Sequence, residues 1–239
     1  MKYIYGPVNS RRLGLSLGLS LTPCKVCSFD CLYCQLGKTT QVTLEKKDYI
    51  PVEEILEELK LWFFHNPAQA KELKFITFSG SGEPTLNIDI GKLIQEIKKI
   101  APVAVAVITN ASLLSDASVR QAILGADLIV PSLDAVTTPV FLKIDRPAPG
   151  IEIETVINGL IELRKEFKKE IWLEIMLVSG VNDDIRQIRK FVEVIEKIKP
   201  DKIQLNSPVR TTSEPDVLPV DQKKLERIKE LLGEKCEIV

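Results

Sequence analysis

Apolar runs of strand length alternate with amphipathic helical segments along the chain, and this alternation restricts the fold more than any other feature. Strands are predicted at residues 13–22, 73–79, 103–109, 128–133, 171–178 and 202–206. Between and after them, apolar residues recur every three or four positions, as in helices that pack by one face, at residues 51–64, 89–100, 115–124, 152–168, 185–198 and 221–233. Most of the strands are apolar on both faces, which is typical of a parallel sheet covered by helices.

Six such strand–helix units predict an α/β fold, either an open doubly wound sheet or a barrel. Both architectures carry their chemistry at the carboxyl ends of the strands. Polar residues cluster there after every predicted strand: the cysteine loop at 23–37, then residues 80–84, 109–110, 132–134, 180–183 and 206–210. We therefore expect the functional site at this rim. Residues 207–220 form a connection that is unusually long and contains prolines, and we predict that this segment acts as a lid.

Length and composition predict one globular domain over residues 1–239, with no interdomain linker and no low-complexity tract. Hydrophobic residues are 45% and charged residues 27%, and the formal net charge of −1 disfavours a surface that is basic throughout. No apolar run approaches membrane-span length, and the first residues lack a secretory pattern. The chain is therefore expected in the reducing cytoplasm, without a membrane partner.

Four of the five cysteines, Cys24, Cys27, Cys31 and Cys34, lie in the cysteine loop. Clustered thiolates select zinc, copper(I) or iron–sulfur clusters. Structural zinc usually joins two C-x-x-C pairs that are about a dozen or more residues apart, whereas only three residues separate the pairs here. An iron–sulfur cubane fits such a tight loop better, because its irons are spread in space. Cys24 is either a bystander, which we favour, or a fourth ligand of a closed, non-enzymatic electron-transfer or zinc-binding site.

Cys27, Cys31 and Cys34, with the aromatic Tyr33 before the last of them, resemble the signature of the radical SAM superfamily. The resemblance implies a partial (β/α)6 TIM-like barrel whose three cysteines hold a 4Fe–4S cluster and leave one iron open for S-adenosyl-L-methionine. It also implies reductive cleavage to a 5′-deoxyadenosyl radical that abstracts hydrogen from a substrate. The implied chemistry is that of an oxidoreductase-type enzyme. It needs no catalytic residue beyond the cluster and the cofactor.

Residues 80–85 read G-S-G-E-P-T and resemble the G-G-E-P motif of the same superfamily, with Ser81 as a departure. In that family the motif's backbone binds the methionine amino group of the cofactor. By the same resemblance, Thr109, Asn110, Ser132 and Asp134 contact its ribose or carboxylate, Val178 and Asn182 border its adenine, and Asn206 closes the pocket. Turn capping is the simpler alternative for each polar residue in this set. The implied cofactor contacts are Tyr33, Gly80, Ser81, Gly82, Glu83, Pro84, Thr109, Asn110, Ser132, Asp134, Val178, Asn182 and Asn206.

Longer stretches, among them residues 6–14, 78–87 and 177–183, are similar to a group of small radical SAM iron–sulfur oxidoreductases near the archaeal wyosine synthases. That resemblance brings no substrate: a tRNA base, a glycyl radical partner protein and a small molecule all stay open. It implies a low-potential electron donor of the flavodoxin or ferredoxin type. Charged residues beside strand ends predict a positive rim for an anionic substrate, and they are Arg11, Arg12, Lys143, Asp145, Arg146 and Arg210.

Overall fold

The computed structural model describes residues 1–239, which form one main sheet of eight strands with helices on its outer face. In chain order the strands are β1 (Ile4–Ser10), β2 (Gly14–Leu19), β3 (Val26–Cys27), β4 (Gln41–Val42), β5 (Phe75–Phe78), β6 (Ala104–Thr109), β7 (Leu128–Pro131), β8 (Glu170–Met176), β9 (Lys202–Asn206) and β10 (Cys236–Ile238). The main sheet has the order β1-β2-β5-β6-β7-β8-β9-β10, and β3 pairs with β4 inside the cysteine loop.

The parallel strands β2, β5, β6, β7, β8 and β9 are the six that the sequence predicts, and they form the expected partial barrel. At one edge β1 pairs antiparallel with β2. At the other edge β10 extends the sheet in parallel from β9. The two edges do not pair with each other, so the barrel stays open along one side.

The helices are α1 (Val52–His65), α2 (Pro67–Glu72), α3 (Ile90–Ile100), α4 (Ala117–Ile123), α5 (Thr138–Ile144), α6 (Ile153–Glu166), α7 (Ile185–Ile198) and α8 (Gln222–Leu232). Their apolar faces and the outer face of the sheet form a core of 50 buried residues. None of the helices is both long and apolar enough to span a bilayer.

The sequence patterns miss strand β1 and helices α2 and α5, besides the two-residue strands β3 and β4. Strand β1 contains Gly6-Pro7, which interrupts any strand pattern, but proline is tolerated on a sheet edge, where β1 lies. Helices α2 and α5 are short, with Pro67 and Pro139 in their first turns. Asp184 caps α7, because its carboxylate accepts hydrogen bonds from the first turn, at 2.8 Å from the Arg186 amide.

A second, smaller apolar cluster fills the amino end of the barrel. Leu13, which precedes β2, packs there with Ala106, Leu128 and Val130. These residues alternate along their strands with residues of the main core, so they point to the concave inner face of the sheet. We call this cluster the floor, because the space above it, toward the carboxyl ends of the strands, is a cavity.

Candidate active site

A cavity of about 900 Å³ opens above the floor and reaches the carboxyl ends of the strands. Its wall brings together the cysteine loop, the turn after β5 and the turn after β6, as expected for the active end of such a sheet. The predicted residues that line it are Arg11, Arg12, Cys27, Cys31, Tyr33, Cys34, Gly80, Ser81, Gly82, Glu83, Thr109, Asn110, Ser132 and Arg210.

Hydrogen bonds to the rest of the barrel hold the cysteine loop in place. The Asp30 amide donates to the Asp145 carbonyl at 3.0 Å, and the Ala148 amide donates to the Ser28 carbonyl at 2.8 Å. Within the loop, the Cys34 amide donates to the Cys31 carbonyl at 3.1 Å, which forms the turn that brings these two thiols to one wall. The side-chain amide of Asn110 lies 3.5 Å from the sulfur of Cys27.

Two of the three cavity cysteines, Cys27 and Cys31, have thiol pKa values that are raised by burial. Burial, and secondarily the Glu83 carboxylate, raises the pKa of Cys27 to about 12. Burial and the nearby Asp145 raise the pKa of Cys31 as well. Thiolates at these positions therefore need a positive centre bound to them, because metal binding displaces the thiol proton.

This donor set fits an iron–sulfur cluster better than a single ion. No group of three or more His, Cys, Asp or Glu side chains surrounds one metal-ion position, whereas a cluster asks for one thiolate per separate iron. Cys24 is exposed and does not line the cavity, so it lies outside the set formed by the other three. A closed four-cysteine site finds no support in this arrangement.

The turn after β5 presents its backbone to the cavity. Gly82 packs so closely on the cysteine loop that a Cβ atom there would lie 1.7 Å from the Val26 carbonyl oxygen. Gly80 has a φ of +102°, which favours glycine. At the position where the sequence departs from the family motif, the Ser81 hydroxyl donates to the Ser20 hydroxyl at 3.1 Å.

Glu83 differs from the expectation that its charge faces a ligand, because its carboxylate is buried and turned into the protein. It accepts hydrogen bonds from the Thr85 amide at 3.0 Å, the Thr85 and Thr109 hydroxyls at 2.6 and 2.7 Å, and the Asn110 amide at 2.7 Å. Burial raises the pKa of Glu83, and these hydrogen bonds oppose that rise. Glu83 therefore ties the turn after β5 to the end of β6, and Pro84, which begins a buried 3-10 turn, is likewise structural.

The Asp134 carboxylate also points away from the cavity, in which it was expected to contact the cofactor. It accepts hydrogen bonds from the Tyr33 hydroxyl and, at 2.7 Å, from the Met176 amide. With Asp145 it lines a separate small pocket behind the cysteine loop. Burial raises the pKa of both carboxyls, and the charge of Asp134 raises that of Asp145 further. Direct contact of Asp134 with a cofactor ribose does not fit this position, whereas Ser132 lines both spaces.

Val178, Asn182 and Asn206 are not part of the cavity wall. Asn182 is fully buried and accepts from the Val178 amide at 2.8 Å, while its own amide donates to the carbonyls of Asp134 and Met176 at 2.8 Å each. These bonds make it a turn-capping residue, the simpler of the two alternatives. Asn206 donates to Glu174 at 3.3 Å and so acts on the cavity through that residue.

The six charged candidates for substrate contact separate into two groups. Arg11, Arg12 and Arg210 line the cavity. Lys143 is exposed on the outside at the end of α5, and Asp145 is buried beside Cys31, 3.6 Å from its sulfur. Arg146 pairs with Glu214 at 2.6 Å outside the cavity. The last three were predicted from position in sequence alone, which does not show the direction in which a loop leaves its strand.

The sequence patterns miss two cavity residues that point inward from strands. Tyr5 comes from the unpredicted β1, and its hydroxyl bonds to Ser79 at the end of β5. Glu174 projects from β8 into the cavity, where it pairs with Arg12. A lone carboxylate in the otherwise apolar run I-W-L-E-I-M-L-V is the signal that could have found Glu174.

Residues 207–220 are irregular and pack on the cysteine loop. The Ser213 hydroxyl lies 2.9 Å from the Cys31 carbonyl and 2.8 Å from the Leu32 carbonyl. Residues 207–211 line the cavity, and Arg210 donates to Gln35 at 2.8 Å. The segment is thus placed where a lid would be, although lid motion itself stays a prediction.

Known proteins share this fold and this sequence pattern. The family model of the radical SAM superfamily matches residues 21–192, from the residues before the cysteine loop to α7. The chain belongs to the radical SAM superfamily. The resemblance read from the cysteine spacing is therefore confirmed, and with it the assignment to an enzyme superfamily that uses S-adenosylmethionine and an iron–sulfur centre.

Two relatives place the chain more closely. It is 34% identical over 241 residues to a UPF0026 protein of Methanocaldococcus jannaschii, covering 100% of this chain and 73% of the relative, and it belongs with the UPF0026 proteins. It is 42% identical over 237 residues to a Brachyspira hyodysenteriae protein named GTPase Obg, covering 99% of this chain. The chain spans only 34% of that relative's length.

Solved structures confirm the barrel. TYW1 with a bound lysine–pyruvate adduct superimposes with a TM-score of 0.64 at 24% identity, covering 91% of this chain and 72% of TYW1. A radical SAM methyltransferase from Sphaerobacter thermophilus gives a TM-score of 0.72 at 14% identity, covering 94% of this chain and 65% of that one. At these identities the likeness shows the fold alone.

Proposed function

We propose that this protein is a radical SAM enzyme whose Cys27, Cys31 and Cys34 hold a 4Fe–4S cluster beside a cavity that binds S-adenosylmethionine and a substrate. The observation that carries the proposal is the shared wall: the three thiols and the backbone of residues 80–82 line one cavity, while Cys24 lies outside it. When bound, the cluster and cofactor supply one-electron cleavage of the C5′–S bond and hydrogen-atom abstraction.

The chain's own residues bind and orient the cofactor and shield the cavity from water. Gly80, Ser81 and Gly82 offer backbone groups to the methionine end of the cofactor, and Glu83 fixes that turn by its four hydrogen bonds. Asn110 directs its amide toward the sulfur of Cys27, which favours the thiolate form of that ligand. Tyr33 and residues 207–211 cover the cavity and limit access of water.

The substrate and the redox partner are part of the proposal. A tRNA base, a glycyl radical protein and a small molecule remain the three substrate classes. The reductant is a low-potential donor of the flavodoxin or ferredoxin type, which would approach the exposed side of the cysteine loop at Leu36 and Lys38. We also propose an oxidoreductase that works in the cytoplasm, because cluster ligation needs reduced thiols and all five cysteines are free.

Anaerobic reconstitution of matched cysteine variants tests the proposal. Wild type, Cys24→Ala and Cys27→Ala are loaded with iron and sulfide, reduced, and given S-adenosylmethionine, and 5′-deoxyadenosine is followed by chromatography. We expect nucleoside from wild type and Cys24→Ala at similar rates and none from Cys27→Ala. Loss of both cluster and nucleoside in Cys24→Ala, with a folded protein, would instead support the closed four-cysteine site.

A further inference from the structure

An ion pair joins two sides of the barrel wall. Arg12 lies in the turn between β1 and β2, next to Leu13, which is part of the floor. Glu174 lies on β8, two residues beyond Trp172, whose ring packs against the floor from the same face of that strand. Both residues of the pair line the cavity that the three cysteines also line, and the Glu174 backbone bridges to Ser132, just beyond the carboxyl end of β7.

The ion pair leaves its hydrogen-bond donors, not its acceptors, available to a ligand. One Glu174 oxygen contacts Nη1 of Arg12, and the other accepts from the Asn206 side-chain amide at 3.3 Å. Arg12 keeps Nε and Nη2 without a partner in the chain, and 26% of its side chain is exposed, against 9% for Glu174. Glu174 therefore holds Arg12 in place while the remaining guanidinium edge faces the cavity.

The surroundings add further donors. Arg11 also lines the cavity and forms no ion pair within the chain. The Tyr5 hydroxyl, bonded to Ser79, lies near enough for the Arg12 charge to oppose the rise that burial causes in the Tyr5 pKa. Hydroxyl groups and guanidinium forks together are the groups that bind carboxylates and phosphates.

We propose that Arg12, oriented by Glu174, forms an oxyanion subsite in the cavity wall and binds a carboxylate or phosphate group of the substrate. The proposal rests on the proposed function and narrows its substrate to anionic molecules. The subsite uses side-chain donors, whereas the turn after β5 is proposed to hold the cofactor's methionine end by its backbone. Arg12 is a binding residue and Glu174 a positioning residue.

The test measures anion binding and cofactor binding on the same protein. The melting temperature of the reconstituted full-length chain is followed against inorganic phosphate and against acetate, at constant ionic strength set by chloride, with and without S-adenosylmethionine. We expect a saturable rise of about 3 °C at ten times the dissociation constant of the better anion. Whichever of phosphate and acetate gives the larger rise identifies the source of the oxyanion.

Variants separate a binding role from a structural one. Arg12→Gln should weaken anion binding about tenfold or more, and Arg12→Lys should restore part of it because the charge returns without the fork. Glu174→Gln should weaken it less than Arg12→Gln does. Arg186→Gln, which alters an arginine that is 88% exposed on α7, is the matched control and should leave anion binding unchanged.

Three results would overturn the subsite. The first is the absence of a saturable rise with either anion in wild type, and the second is an equal rise in wild type and in both Arg12 variants. The third is displacement of the anion by S-adenosylmethionine, which would assign Arg12 to the cofactor's carboxylate. Failure of the proposed function would appear differently, as missing cluster or missing 5′-deoxyadenosine while the anion still binds.

Discussion

Tyr5 and Gly18 show how one glycine shapes the cavity. The tyrosine ring lies over Gly18 on the inner face of β2, where a Cβ atom would be 2.0 Å from the ring's Cζ. Gly80 approaches the same ring, and a Cβ atom there would be 3.0 Å from Cε1. Both glycines therefore make room for a side chain that is 37% exposed and forms part of the cavity wall.

We expect Gly18→Ala to destabilise the protein by about 2 kcal/mol, because the added methyl overlaps the Tyr5 ring. In a Tyr5→Ala background the same substitution should cost much less, with a coupling of about 1 kcal/mol or more. Urea unfolding of the four proteins of this cycle measures both. Equal costs in the two backgrounds would mean that the ring does not occupy the space over Gly18.

Single residues were predicted best where the backbone demanded a residue type. A glycine inside a strand pattern indicates either a close approach or a bulge, and at Gly18 the Tyr5 ring is the close neighbour. The direction of side chains was not predictable. Glu83 and Asp134 follow strand ends, as expected, but their carboxylates accept hydrogen bonds from the protein instead of facing the cavity. The donors Thr109 and Tyr33 become neighbours of these carboxylates only in the folded structure.

Asp127 links three elements at the amino end of β7. Its carboxylate accepts from Lys98 of α3 at 2.7 Å, from the Val105 amide of β6 at 3.0 Å and from Lys169, before β8, at 2.8 Å. Burial opposes ionisation, but these donors outweigh it and lower the pKa of Asp127 to about 2. The carboxylate thus stabilises the ends of neighbouring strands.

The sign of this shift predicts a loss of stability in acid. Because the folded pKa is below the unfolded one, the contribution is fully present above pH of about 4 and disappears as pH falls toward 2. After discounting for solvent screening we expect about 1 kcal/mol. Asp127→Asn should lose that amount at pH 7 and show a flatter decline between pH 4 and 2, as measured by urea unfolding. Parallel wild-type and variant curves over that pH range would contradict the assignment.

A few hydrogen bonds attach residues 207–220 to the cysteine loop. We expect these bonds to control the hydrogen exchange of backbone amides in this segment. Ser213→Ala removes the hydroxyl that donates to the Cys31 and Leu32 carbonyls. We expect hydrogen exchange of the Glu214 amide, which bonds to the Leu32 carbonyl at 3.2 Å, to accelerate about fivefold. Mass spectrometry reports the rate, and the exposed Asp216→Ala serves as the control. An unchanged rate would show that the segment is held by other contacts.

Among the elements, long apolar patterns were predictable and short or interrupted ones were not. The six parallel strands were predictable from their apolar runs, and strands such as β7 and β9 are buried along almost their whole length. Strand β1 was missed because Pro7 and an exposed edge remove the pattern. The cavity depends on that strand for Tyr5, so the error in one edge element left Tyr5 undetected, although Arg12 in the adjoining turn was predicted.

At the scale of the whole molecule, one cavity joins the groups that the sequence distributes over the chain. The cysteine loop and the turns after β5 and β6 form part of its wall, and Arg12 and Glu174 form another part. Parallel strands bring successive carboxyl ends to one rim, which is why the position of the site was predictable. The pairing of Arg12 with Glu174 was not predictable, because it depends on a contact across the barrel.

The most direct test of the account is the electron paramagnetic resonance spectrum of the reduced cluster with and without S-adenosylmethionine, in wild type and Cys24→Ala. If three cysteines ligate the cluster and the cavity holds the cofactor against the remaining iron, both proteins should contain about four irons, and both spectra should change when the cofactor is added. A spectrum that ignores the cofactor, together with loss of the cluster in Cys24→Ala, would contradict the account and indicate a closed four-cysteine centre.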